Sequence, residues 1–215
     1  MAVWGKSSIK EDTYNVIKDK ILHLVYQPGE PINLTQLEKE LGISNTPVRE
    51  AVSSLTAEGL LTSFHNSKIR VVKFDRTVIK ELNDAVRAIM NGAVDLVQEQ
   101  DHMEQLEDLL DDRYREQLSI LVSDNDYFDY VTCAIRFDRA FVEATNNRYL
   151  VNAFDTMSNV LFLASMYFLS NGYMDTTKNR EEHEELLNAV RQRDISKLKA
   201  ALRQHYDNHI HEPKE

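Results

Sequence analysis

Residues 37–61, LEKELGISNTPVREAVSSLTAEGLL, decide how the first third of this chain folds. Apolar positions recur at helical spacing on both sides of Gly42. The first segment predicts a short helix over Leu34–Leu41, with Thr35 as its N-cap and Glu38, three residues on, completing a capping box. Gly42 suits the left-handed residue that ends such a helix. Thr46 then reads as an N-cap and Pro47 as a first helical residue. The next helix runs Val48 to Glu58, turns Val48, Ala51, Val52 and Leu55 inward, and stops at Gly59. Two helices joined by a tight Gly-containing turn make a helix-turn-helix.

Working outward, Ile9 to Val25 predicts a preceding helix with Ile17, Ile21, Leu24 and Val25 on one face, stopped by Pro28-Gly29. Behind the pair, residues 60–74, LLTSFHNSKIRVVKF, place Leu60, Leu61, Phe64, Ile69, Val71 and Val72 around a polar tip, His65 to Lys68. That pattern predicts a two-stranded hairpin, which makes the motif winged. From residue 76 onward only Pro213, Gly92 and Gly172 interrupt. Apolar residues there predict helices over 76–98, 102–122, 125–145, 148–170, 179–192 and 194–210. Short connections between them imply an antiparallel bundle. The fold class expected is mainly α: a winged helix-turn-helix domain over 8–73 and a bundle of about six helices over 76–211.

Composition agrees. Of 215 residues, 42% are hydrophobic, and only 6 are Gly and 4 Pro. Few chain-reversing residues favour long helices over a hairpin-rich fold. The single cysteine, Cys133, excludes an intrachain disulfide and any CxxC motif. No apolar run reaches the ~18 residues of a membrane span, and the N-terminus lacks a signal-like apolar stretch. A cytoplasmic protein with no membrane partner is expected. The formal charge is −10, which would argue against nucleic acid. Yet residues 1–75 hold nine basic and nine acidic side chains, so the whole deficit lies beyond them. Total charge therefore does not exclude a DNA-binding N-terminal part.

In a helix-turn-helix the second helix enters the major groove, and its leading residues meet the base edges. Those residues are Ser44, Asn45, Thr46 and Arg49. Arg is the commonest side chain for bidentate contact with guanine; Asn45 could meet adenine or a phosphate. Thr35 and Thr46 carry hydroxyls suited to phosphate. On the wing, His65, Lys68 and Arg70 could reach the backbone or the minor groove. The plainer alternative is that Arg49 and Glu50 are solvated charges on an ordinary helix.

Residues 9–73 resemble the winged helix-turn-helix of the GntR family of bacterial transcription regulators. The likeness rests on ILHLVYQPGEPI and on the run S-x-T-P-V-R-E-A followed by L-x-x-E-G-L. The helical remainder resembles the all-helical (FCD) effector domain of the FadR-type subgroup. The resemblance implies a homodimer on a palindromic double-stranded DNA operator, controlled by a small molecule, in most cases as a repressor. The sequence has no nucleophile elbow, Gly-rich phosphate loop or HExxH motif, so no enzyme is expected; the alternatives are a metal-dependent enzyme or a non-DNA-binding interaction protein on the same scaffold. Two positions depart from the pattern: Asn45 stands where the family has a basic residue, and Lys68 where the wing has Gly.

Many members of the subgroup hold a divalent metal with one Asp and three His, and the resemblance extends to part of that set. In CAIRFDRAF, Ala134 occupies the Asp position and Asp138 the first His position. His183 and His205 fall on the two later ligand positions. Asp138, His183 and His205 are thus candidate ligands for Zn, Ni or a similar ion, with positions open for a carboxylate effector. Two rivals stand beside this: the histidines bind an anionic effector directly, or they are structural. Arg87, among Val86, Ile89 and Met90, asks for a carboxylate. Its partner would be the effector or an acidic residue of a neighbouring helix.

Overall fold

A computed structural model describes residues 9–64, 68–122 and 126–208. The chain divides into two units, Met1–Phe74 and Asp75–Glu215. Among the described residues there are nine α-helices and one small sheet.

The first unit contains α1 (Ile9–Leu22), β1 (Pro31–Ile32), α2 (Leu34–Leu41), α3 (Asn45–Ala57), β2 (Leu61–Phe64) and β3 (Lys68–Val71). Its core is Ile17 and Ile21 from α1, Leu37 from α2, Val48, Ala51 and Leu55 from α3, and Leu60, Leu61 and Val71 around the wing; all are essentially inaccessible. Those α3 residues have the i, i+3, i+7 spacing of one helix face. Gly42 closes α2 in the left-handed conformation (φ 67°) and returns its N–H to Glu38 O.

Four local expectations need correction. The N-cap of α2 is Asn33, not Thr35: Asn33 is extended, and its Oδ1 accepts the Gln36 N–H at 3.2 Å. Thr35 lies inside the first turn, so the capping box with Glu38 does not form. The helix α3 begins at Asn45 behind Ser44, not at Pro47 behind Thr46. Pro47 is tolerated there because the first N–H groups of a helix have no intrahelical partner to lose. α1 ends at Leu22, and Leu24 takes a left-handed φ of 58°. Val25 consequently points to solvent, 61% exposed, rather than continuing the apolar face. The wing has three strands, in the order β1-β3-β2, all antiparallel, with Ile32 opposite Ile69 and Thr62 opposite Arg70. Pro31 is accommodated because β1 lies at the sheet edge.

The second unit is a bundle of α4 (Arg76–Glu99), α5 (Met103–Ser119), α6 (Phe128–Glu143), α7 (Arg148–Ser170), α8 (Thr176–Arg191) and α9 (Ile195–Asn208). Asp75, Asn147 and Asp175 cap three of these helices with their side chains. Asp101, Asn146, Gly172 and Arg193 take positive φ at the connections, which lets the chain reverse within a few residues. α5 packs on α6 and α8, α6 on α7, and α4 and α8 on α9. Phe137, Phe141, Phe154, Leu106, Leu186 and Leu202 lie in the resulting core. No helix of the described residues is long and apolar enough to cross a membrane.

Candidate functional sites

The turn between α2 and α3 brings Ser44, Asn45, Thr46 and Arg49 to one exposed edge. Arg49 is one helical turn after Asn45, and its Nε–H donates to Asn45 Oδ1 at 2.6 Å. Asn45 Nδ2–H in turn donates to Glu38 Oε1 on α2. Thr35 is exposed in the first turn of α2. Behind this edge, Tyr14 O–H of α1 donates to Glu58 at 2.7 Å, tying α1 to the end of α3. Burial and the Glu58 carboxylate push the Tyr14 phenol well above its ordinary value.

The wing residues separate. Lys68 is exposed at the start of β3. Arg70 places its guanidinium carbon over the Phe64 ring, 3.4 Å from the centroid, with its Nε buried and without a hydrogen-bond partner. His65 lies outside the described residues.

In the bundle, three helices converge on one buried point. Asp138 comes from α6, His183 from α8 and His205 from α9, and each is at least 95% buried. Their donor atoms all lie within 4.8 Å of one another. Asp138 Oδ1 is 3.6 Å from His205 Nε2 and 3.9 Å from His183 Nε2, and has no hydrogen-bond partner. The other nitrogen of each ring is committed elsewhere. His205 Nδ1 meets Glu182 Oε2 at 3.0 Å, and His183 Nδ1 meets Gln117 Oε1 at 2.8 Å. Gln117 Nε2 donates to Asn179 Oδ1 at 2.9 Å, which leaves Oε1 as the acceptor that fixes the His183 tautomer with its proton on Nδ1. Phe137 stacks on the His183 ring at 4.0 Å and 8°, fixing its plane.

These observations fit a metal ion. Two Nε2 atoms face one buried carboxylate oxygen, and the Nδ1 atoms are anchored by a carboxylate and an amide, as second-shell partners anchor metal-bound histidines. Burial of His205 by itself would lower its pKa, but Asp138 and Glu182 outweigh that and raise it to about 9. The cluster thus attracts positive charge.

A narrow cavity of about 30 Å³ adjoins the cluster, lined by Asp138, His205, Ala134, Tyr130, Asn179 and Ser165, among others. Ala134 lines it from α6, one turn before Asp138, in the place where the resemblance leads one to expect a carboxylate. Arg87 is not among the lining residues. Its Nη2 donates to Asp84 Oδ1 at 2.7 Å, one turn earlier on the same helix. Its acidic partner is therefore on its own helix rather than on a neighbouring one. Burial raises the Cys133 thiol and keeps it unreactive.

Sequence reasoning missed Glu182, Gln117, Asn179 and Asn83. Glu182 had one signal, its place beside His183 in an otherwise solvated acidic run. Asn83 donates to Tyr206 O at 2.6 Å beside His205, with a partner 123 residues away that no spacing announces.

A winged helix-turn-helix followed by a helical unit with a buried donor cluster is the plan of a transcriptional regulator with a sensory domain. The chain belongs to the GntR family of bacterial regulatory proteins: that family's profile matches residues 9–71, and the profile of the FCD domain matches residues 81–208. It is 25% identical over 197 residues to the HTH-type transcriptional regulator YdhC of Bacillus subtilis, covering 92% of this chain and 85% of that one. It is 49% identical over 41 residues to the Nta operon transcriptional regulator of Aminobacter aminovorans, covering 19% of this chain and 20% of the relative. Among solved structures, a GntR transcriptional regulator from Rhodococcus sp. RHA1 superposes with a TM-score of 0.69 at 18% identity, over 94% of this chain and 95% of that one. McbR/YncC of E. coli gives 0.64 at 20%, over 94% of both chains. The family and these relatives are transcriptional regulators rather than enzymes.

Proposed function

We propose that this regulator is a repressor that binds a palindromic operator as a homodimer in the cytoplasm and is controlled by a small organic acid. Residues 8–73 bind DNA; residues 76–211 bind the effector and dimerise. The observation that carries the reading is the exposed leading turn of α3, where Ser44, Asn45, Thr46 and Arg49 share one edge. Two such helices address half-sites about one helical turn apart. Arg49 supplies the base contact, and Ser44, Thr46 and Thr35 approach phosphates. Lys68, His65 and Arg70 serve the wing, and Arg70 also packs on Phe64.

Asp138, His183 and His205 hold a divalent cation such as Zn or Ni. Bound there, the cation supplies positive charge and open coordination positions. An acid effector is drawn to that positive charge, and its carboxylate takes an open position. Glu182 and Gln117 hold the rings in place, and Tyr130, Asn179 and Ser165 meet the effector's polar atoms. The acid binds one arrangement of the surrounding helices better than another, and only such differential affinity between two arrangements can move an equilibrium. A gel shift on the DNA flanking the protein's own gene tests this. A specific complex that an organic acid dissolves is expected; binding that is indifferent to sequence at every salt concentration contradicts it.

A further inference from the structure

Asn45 occupies the first helical position of α3, fully on the exposed edge. Its carboxamide is engaged at both ends. The oxygen accepts from Arg49 Nε at 2.6 Å, and Nδ2 donates to the Glu38 carboxylate on α2. To read an adenine, an asparagine must present this same pair, oxygen and N–H together, to the base. Here that would mean releasing a charged donor and a charged acceptor, whose hydrogen bonds are stronger than neutral ones. The tie to Arg49 has a second effect. With Nε engaged by Asn45, the two Nη groups are left for the paired contact with guanine O6 and N7.

We infer that Asn45 is a positioning residue that sets specificity through Arg49, as the middle link of a Glu38–Asn45–Arg49 chain, and not a base-reading residue. This rests on the DNA-binding reading above. Each half-site is then read at this edge by one guanidinium in a fixed orientation. Glu38, on the helix that does not enter the groove, becomes a specificity determinant at one remove.

The test uses the full-length protein. Wild type is used to select from a random duplex library, and the enriched duplex and a scrambled duplex are then titrated by fluorescence anisotropy. The readout is the ratio of the two Kd values, which cancels changes in non-specific affinity. Arg49→Ala is expected to lower the ratio by roughly tenfold to a hundredfold for each half-site, and so by about a hundredfold or more for the dimer. Asn45→Ala lowers it by about three- to tenfold for each half-site, the worth of a lost orienting hydrogen bond, with the same consensus and unchanged scrambled-duplex affinity. Glu38→Ala lowers it by no more than Asn45→Ala does. The double variant Asn45→Ala/Arg49→Ala matches Arg49→Ala alone, because a positioner has nothing left to position. A further drop in the double variant, a consensus position lost in Asn45→Ala, or a wild-type ratio in Asn45→Ala overturns the inference. If wild type enriches no sequence at all, the DNA-binding reading fails first and this inference falls with it.

Discussion

Replacing Asp138 by Asn probes the bundle cluster at the point where its geometry is most specific. The Asp138 oxygen lies 3.6 and 3.9 Å from the two imidazole nitrogens. Ligand atoms around a tetrahedral Zn, bound at about 2.0–2.1 Å, sit ~3.3 Å apart. The two carboxylate-to-imidazole separations are therefore within a few tenths of an ångström of that spacing, and the two imidazole donors, within 4.8 Å of each other, draw together as the ion binds. Metal that binds only the folded protein stabilises it by about 2.7 kcal/mol at a hundred times its Kd. For a chain of this size that raises the unfolding temperature by roughly 5–11 °C. Asp138→Asn removes the charged ligand and keeps its shape. If Kd rises about a hundredfold, the stabilisation at the same metal concentration falls to about 0.4 kcal/mol, roughly 1 °C. Glu182→Gln leaves the three ligands but removes the charge behind His205 Nδ1, and lowers metal affinity by about ten- to a hundredfold. Differential scanning fluorimetry of the stripped protein with added Zn or Ni, paired with elemental analysis, measures both. A wild-type protein without a metal-dependent shift, or an Asp138→Asn variant with the full shift, would refute the ligand assignment.

Two further outcomes concern the winged unit. Asn33→Ala should cost about 1 kcal/mol in urea unfolding by removing the α2 cap, whereas Thr35→Ala should stay within about 0.5 kcal/mol; equal costs would reinstate Thr35 as the cap. Tyr14→Phe removes the hydrogen bonds to Glu58 and should destabilise at neutral pH. Because the fold raises the Tyr14 pKa above its ordinary value of 10.0, this contribution is whole below pH 10 and fades as the pH climbs beyond it. The gap between wild type and variant therefore narrows above pH 10; a constant gap from pH 8 to 11 would show that the phenol proton is irrelevant.

The helix-turn-helix was legible because its punctuation is local. Gly42 marks a left-handed turn, and the apolar spacing from Val48 to Leu55 marks a buried face. What escaped was competition between near neighbours. Asn33 and Thr35 both can cap, and only the backbone angles at Asn33 decide between them. Two residues, Pro31 and Ile32, are too few to show the alternation of a strand. Nothing in the sequence reveals that Arg70 sits over Phe64, across the hairpin. The apolar neighbours of Arg87 drew attention away from Asp84, one turn back, with which it pairs. The cluster was legible only in part. Asp138, His183 and His205 stood out through the family pattern. Their convergence depends on how α6, α8 and α9 pack, and Gln117, which sets the His183 tautomer, is silent in the sequence.

The central claim is that the guanidinium of Arg49 reads DNA from the leading edge of α3. The most direct measurement is the affinity of full-length wild type and Arg49→Ala for the same selected duplex and for its scrambled counterpart. Wild type should prefer the selected duplex, and the variant should lose most of that preference while keeping its fold and any metal-dependent stabilisation. A variant that retained the preference would remove Arg49 from the reading edge and contradict the account.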